Sequence, residues 1–151
     1  MSALDKLEAG VLEEALDDEY RAWATYDQVV HDFGAIRPFV NIREAEARHI
    51  SALLALFERY GLQAPANPWP GRVARYASVR EACEAGVAAE IANGAMYDRL
   101  LATARQADIA AVLRNLQRAS QESHLPAFRR CAGRGAATGT GGGRRRRGRR
   151  A

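Results

Sequence analysis

Five side chains able to hold a metal ion stand where a helical core face should be apolar: Glu19, Glu46, His49, Glu90 and His124. Each interrupts a stripe of residues that otherwise recurs in steps of three and four, the period of one helix face. A buried carboxylate is costly unless it is paired, hydrogen-bonded or bound to a cation. Several carboxylates at one depth repel each other unless a cation or a shared proton relieves them. His49 follows Glu46 by three residues, which puts both on one face about a turn apart. Carboxylate and imidazole ligands without thiolate suit iron, or manganese, better than structural zinc or Cu(I). Taken singly, each residue has a plainer reading: a glutamate on a solvated face, or a core histidine that is merely hydrogen-bonded. The coincidence of four segments, each offering a ligand-type side chain near its middle, points to a metal. Tyr26 and Tyr97 each lie seven residues after one of these glutamates. They either pack in the core with a hydrogen-bonded hydroxyl or support a metal-binding carboxylate.

The elements that must position these groups are all helical. The first runs from about Ala3 to Phe33, with Ser2 and Asp5 at capping-box spacing and Gly34 at its end. Its acidic Glu13, Glu14, Asp17 and Asp18 are expected on a solvated face. The second runs from about Pro38 to Tyr60, its proline suited to a first turn and Gly61 to a C-cap. Residues 61–77 hold Gly61, Pro65, Pro68, Pro70 and Gly71, and no sustained helical period. Fully extended, such a linker reaches ~56 Å, against ~33 Å for a helix of about 22 residues, so it can run the length of a bundle. A third helix opens at Ser78, with Glu81 completing a capping box, and carries Cys83, Gly86, Glu90, Asn93 and Tyr97 on one face. A short turn near Gln106–Asp108 leads into the fourth, whose face runs from Ile109 through Ser120 or Gln121 and His124 to Cys131. The fold expected is an all-α antiparallel four-helix bundle over residues 1–132, with one long crossover between helices 2 and 3.

That order resembles the ferritin-like di-iron proteins, in which two helices each give a glutamate and two others each give Glu-x-x-His. More narrowly, the chain resembles the rubrerythrin-like family catalogued as domain of unknown function 2202. The segments that carry the likeness are Asp18-Glu19-Tyr20, Phe39-Val40-Asn41-Ile42 leading into Glu46-Ala47-Arg48-His49, Arg59-Tyr60-Gly61, and Ala119 to Phe128 with Ser120-Gln121-Glu122-Ser123-His124. It covers about residues 4–131. The resemblance implies a metal site of Glu19, Glu46, His49, Glu90, His124 and a sixth position at Gln121, holding one or two iron ions. It also implies oxidation of ferrous iron, or reduction of peroxide or O₂, if the chain is an enzyme. The departure is in helix four, where Gln121 replaces the expected acid three residues before His124. Glu122 is adjacent but about 200° from His124 on a regular helix, unless Pro126 distorts the turn. The alternatives are a non-catalytic bundle with a degraded site, or an iron-sequestering bundle that binds nucleic acid.

The last reading rests on the tail. The chain has 151 residues and a net charge of +4, but residues 133–151 hold seven arginines and no acid. That leaves 15 basic against 18 acidic residues in 1–132. A Gly/Arg-rich tail without large apolar residues is expected to be disordered. It could contact nucleic-acid phosphates without reading bases, or be incidental. No apolar run reaches the ~18 residues of a membrane helix, and no basic-then-apolar leader opens the chain, so a cytoplasmic protein without a membrane partner is expected. Cys83 and Cys131 form no CxxC pair and are expected as free thiols. Without a second iron centre of the CxxC kind, turnover would need an external electron donor. A homodimer is left open.

Overall fold

Two side-chain caps set where helices begin. Asp5 accepts the amide of Glu8 at 2.8 Å, and Ser78 accepts that of Glu81 at 3.1 Å, each satisfying a donor that has no partner inside its helix. The computed structural model describes residues 4–134, and there the cap of the first helix is Asp5; the Ser2 cap lies outside the described residues. The helices are α1 (Lys6–Phe33), α2 (Phe39–Arg59), α3 (Val79–Thr103) and α4 (Ala107–Ala119). The last continues through a wide π-type turn, Ser120–His124, into a further helical stretch at 125–134. No strand occurs among the described residues, and none of their helices is long and apolar enough to cross a membrane. The Arg-rich segment expected at 133–151 lies almost wholly outside the described residues.

Side-chain pairs give the helix directions. Asp27 meets Arg43 and Glu19 meets His49, so α2 runs antiparallel to α1. Glu14 meets Arg99 and Tyr26 meets Glu90, so α3 is antiparallel to α1 as well. Gln117 reaches the Gly94 carbonyl and Ser120 reaches Glu90, while Arg59 pairs with Asp108. The fourth helix therefore runs against both α3 and α2. It follows that α2 and α3 run in the same direction, and the helix-free segment between them must return along the bundle. It does so against α1. Tyr20 donates to the Pro65 carbonyl, Trp69 donates to Asp17 with Arg21 over its ring, and Arg75 pairs with Asp32. Trp69, which suggests no chemistry from sequence, is thus one of the linker's attachments.

The core is divided. At one end Leu12, Leu16, Leu53, Phe57, Ile109 and Leu113 pack together. At the other Val29, Phe39, Phe128 and the rings around them form a second cluster. Cys83 and Cys131 belong to this second cluster and are joined as a disulfide. The free thiols expected from composition are therefore corrected. The α3 and 125–134 segments bring the two Cα atoms to 5.9 Å, within disulfide range. Gly86 makes this packing possible, because a Cβ there would lie 2.8 Å from the Phe128 ring. The candidate ligands fill the band between the two apolar clusters.

Candidate metal centre

The centre is built from α1, α2, α3 and the π-type turn, each contributing at mid-bundle. Glu19, Glu46, Glu90 and His124 are 2, 3, 3 and 4% exposed, and His49 is partly buried. Because Glu46 and His49 share a face of α2, His49 Nδ1 stands 3.0 Å from Glu46 Oε1 and 3.2 Å from Glu19 Oε1. His124 Nδ1 lies 3.6 Å from Glu46 Oε2 and 3.8 Å from Glu90 Oε1. Two groups of ligand-type atoms result, Glu19–Glu46–His49 and Glu46–Glu90–His124, each with its atoms within 4.8 Å of one another. Glu46 belongs to both. The imidazoles of His49 and His124 stack with centroids 5.5 Å apart and planes 19° from parallel.

A reciprocal pair of tyrosines holds the outer carboxylates. Tyr26 of α1 donates to Glu90 of α3 at 2.7 Å, and Tyr97 of α3 donates to Glu19 of α1 at 2.5 Å. Both phenols lie seven residues beyond their own helix's glutamate, so the antiparallel packing of α1 on α3 carries each to the other's. Burial first, and then the neighbouring carboxylates, push both phenols well above their ordinary range, which keeps them donors. The two roles considered for these tyrosines coincide: they are core rings whose hydroxyls orient candidate ligands.

The carboxylates do not share their charge evenly. Burial, reinforced by the charge of Glu19, pushes the Glu46 carboxyl well above the usual range. Burial acts on Glu19 in the same sense but is outweighed by hydrogen bonds from His49, Glu46 and Tyr97, which bring it down to about 2. A proton in this cluster is therefore favoured on Glu46 over Glu19. Among the described residues three buried side-chain atoms have no hydrogen-bond partner, Asn93 Oδ1 and, at the centre itself, Glu46 Oε1 and His124 Nδ1. Glu46 Oε1 is close to His49, but not at hydrogen-bonding angles. Orphaned buried acceptors are rare in folded proteins, and a cation between the two at the centre would satisfy both. The donor set thus fits a hard or borderline divalent ion.

The π-type turn decides the sixth position. Pro126 has no amide proton, and its ring would clash with the Glu122 carbonyl in a regular helix. Here the Leu125 amide instead bonds back to Ser120 O, five residues earlier. In this wider turn Ser120, four residues before His124, shares its face, and the Ser120 hydroxyl donates to Glu90 Oε1 at 2.6 Å. The Gln121 amide lies instead against Gly94, where a Cβ would be only 2.6 Å away, and its Nε2 donates to the Glu90 backbone carbonyl and to Ser120. Glu122 is exposed. The six residues named from sequence are therefore not equally placed: five converge, and Gln121 is turned to the backbone of α3.

Two other acidic residues, one beside the site and one far from it, are at least partly buried without having been singled out from sequence. Asp18, expected on a solvated face, is half-buried and accepts from Asn93 Nδ2 at 2.6 Å. Burial raises its carboxyl to about 6, with that hydrogen bond opposing. Glu8 is buried away from the centre and accepts the amides of Arg105 and Gln106, fastening the α3–α4 turn to α1.

No protein-family profile and no curated protein matches the chain. Two solved structures are similar. One is a hypothetical protein of Methanococcus jannaschii, 22% identical, with a TM-score of 0.80 over 90% of this chain and 85% of that one. The other is a conserved hypothetical protein of Mycobacterium tuberculosis, 16% identical, with a TM-score of 0.69 over 84% of this chain and 91% of that one. At those identities the likeness extends to the fold alone: this chain is similar to both as an all-helical bundle.

Proposed function

We propose that the chain is an iron-binding protein of the ferritin-like, rubrerythrin-like kind, related to the family catalogued as domain of unknown function 2202. Its ligands are Glu19, Glu46, His49, Glu90 and His124. The observation that carries this reading is the pair of overlapping ligand groups joined at Glu46, with Glu46 Oε1 and His124 Nδ1 left unpartnered. The antiparallel neighbours and the long return between α2 and α3 support the ferritin-like topology. Iron bound there would supply one-electron chemistry toward O₂ or peroxide. The chain's own residues orient the carboxylates through Tyr26, Tyr97 and Ser120, and favour a proton on Glu46 over Glu19. Electrons come from an external donor, or from ferrous iron as substrate. Both ion positions, Glu19–Glu46–His49 and Glu46–Glu90–His124, offer two carboxylates and one imidazole, with Glu46 shared. The second position, between Glu46, Glu90 and His124, gains no acid from the fourth helix, where Gln121 stands in place of the expected glutamate and Ser120 faces Glu90, so it binds more weakly.

Ser120 also favours a second reading, a bundle whose acids are held by hydrogen bonds alone and whose site no longer works. Anaerobic calorimetric titration with Fe(II) separates the two. Saturable binding to the wild type, weakened at least about tenfold by Glu46→Gln in a chain that keeps its helical circular dichroism, is expected. Equal heats from both proteins would reject the metal reading.

A further inference from the structure

On its α2 side the centre is backed by a pocket of ≈ 470 Å³ between α2 and the fourth helix. Arg37, Arg48 and Arg130 surround it, His49 and His124 form part of its wall, and no acidic residue lines it. The opposite face differs. There a cavity of ≈ 190 Å³ between α1 and α3 is lined by Asp18, Glu90 and Asn93, with Arg21 as its one cation. Where arginines bridge elements elsewhere in the bundle they meet carboxylates, as Arg43 meets Asp27, Arg59 meets Asp108, Arg75 meets Asp32 and Arg99 meets Glu14. Arg37, Arg48 and Arg130 form no ion pair with any described residue. All three are exposed, and guanidinium groups around one hollow with no carboxylate among its lining residues give it a positive potential that favours an anion.

The histidines form the wall between the pocket and the acids. Both turn Nδ1 toward the carboxylates, at 3.0 and 3.2 Å for His49 and at 3.6 and 3.8 Å for His124. The other ring nitrogen lies across the imidazole from Nδ1. The stacked pair is thus a partition, with its Nδ1 edges toward the acids and its opposite edges toward the pocket. Asn41 and Ser123 add neutral polar groups to its lining.

We propose that this pocket binds a small organic anion, whose carboxylate or phosphate group is held by Arg37, Arg48 and Arg130 against the Nε2 edges of His49 and His124. The inference deepens the metal reading, on which it rests for its meaning: the anion sits one imidazole away from the ion and is the class of molecule that the centre acts on or senses. The volume falls within the range of small-molecule sites, and a bare inorganic anion fills only a fraction of it. Guanidinium forks match both carboxylate and phosphate, so the headgroup is left to experiment.

The test uses the metal-free full-length protein at low ionic strength, titrated with succinate and, separately, with inorganic phosphate. Imidazole ¹H–¹⁵N signals are followed by NMR. Saturable shifts of the His49 and His124 signals with at least one probe are expected, and the tighter probe identifies the headgroup. Arg48→Ala/Arg130→Ala is expected to weaken that probe at least about tenfold, and Arg48→Gln to weaken it in the same direction. The metal content of both variants stays that of the wild type, and Arg118→Ala, off the pocket, titrates as wild type. Histidine signals unmoved by either probe, or the double variant titrating as wild type, would overturn the proposal. Because no metal is present, failure of the iron reading leaves this result legible, and the converse holds as well.

Discussion

Each outer carboxylate of the centre depends on one phenol from the other helix. Tyr97→Phe keeps the ring and removes the donor to Glu19 Oε2, leaving that buried oxygen without its hydrogen bond. A hydrogen bond to a charged group contributes about 1.5–3 kcal/mol, so metal-free Tyr97→Phe is expected to lose about that much stability in urea unfolding. An unchanged midpoint would show that Glu19 finds another donor. The candidate ligands were legible in the sequence because each breaks an apolar stripe, and Glu46 and His49 doubly so through their spacing. Asp18 was not legible. It stands one position off the stripe, where a helical residue is either solvent-exposed or tucked beneath a neighbour, and only the packing of Asn93 from α3 decides between them. The three pocket arginines were equally hidden, because they come from two distant stretches of chain and no helical period relates them.

At the scale of elements, the helix starts at Asp5 and Ser78 follow from capping chemistry that local sequence carries. The phase of the fourth helix does not. A regular helix puts positions 120 and 121 both on the face of His124, whereas the π-type turn keeps Ser120 there and turns Gln121 away. Pro126 was a visible sign of irregularity, but it did not say which way the turn would relax, since a kink and a widened turn both avoid the clash. This makes a sharp comparison available. Ser120→Asp places a carboxylate beside Glu90 and His124, and is expected to tighten binding of the second ion at least about tenfold in Fe(II) or Mn(II) titration. Gln121→Glu, the substitution that restores a Glu-x-x-His spacing, is expected to change it much less, because residue 121 lies against Gly94. The reverse ranking would mean that the turn is a regular helix in the metal-bound chain.

For the whole molecule, the long return between α2 and α3 was legible as a length and a composition, but its course was not. Tyr20, Asp17 and Asp32 of α1 hold it, and those contacts depend on three-dimensional proximity rather than on any local signal. The disulfide escaped for a related reason. Cys83 and Cys131 each lay on an apolar face, but composition alone favoured free thiols, and only the docking of α3 against the fourth helix brings them together. It closes a loop with a sequence separation of 48. A crosslink of that span stabilises mainly by restricting the unfolded chain, by about 2–4 kcal/mol, so unfolding with reductant is expected to show a midpoint lowered by that amount. No difference between oxidised and reduced protein would mean that the thiols are not crosslinked in solution. The central claim is that five side chains from four helical segments form one metal centre, and metal content per chain tests it most directly. Elemental analysis of protein purified after iron supplementation should find at least about one ion per chain in the wild type, and a loss of most of it in Glu46→Ala. Less than ~0.2 ion per chain, unchanged by that substitution, would contradict the account.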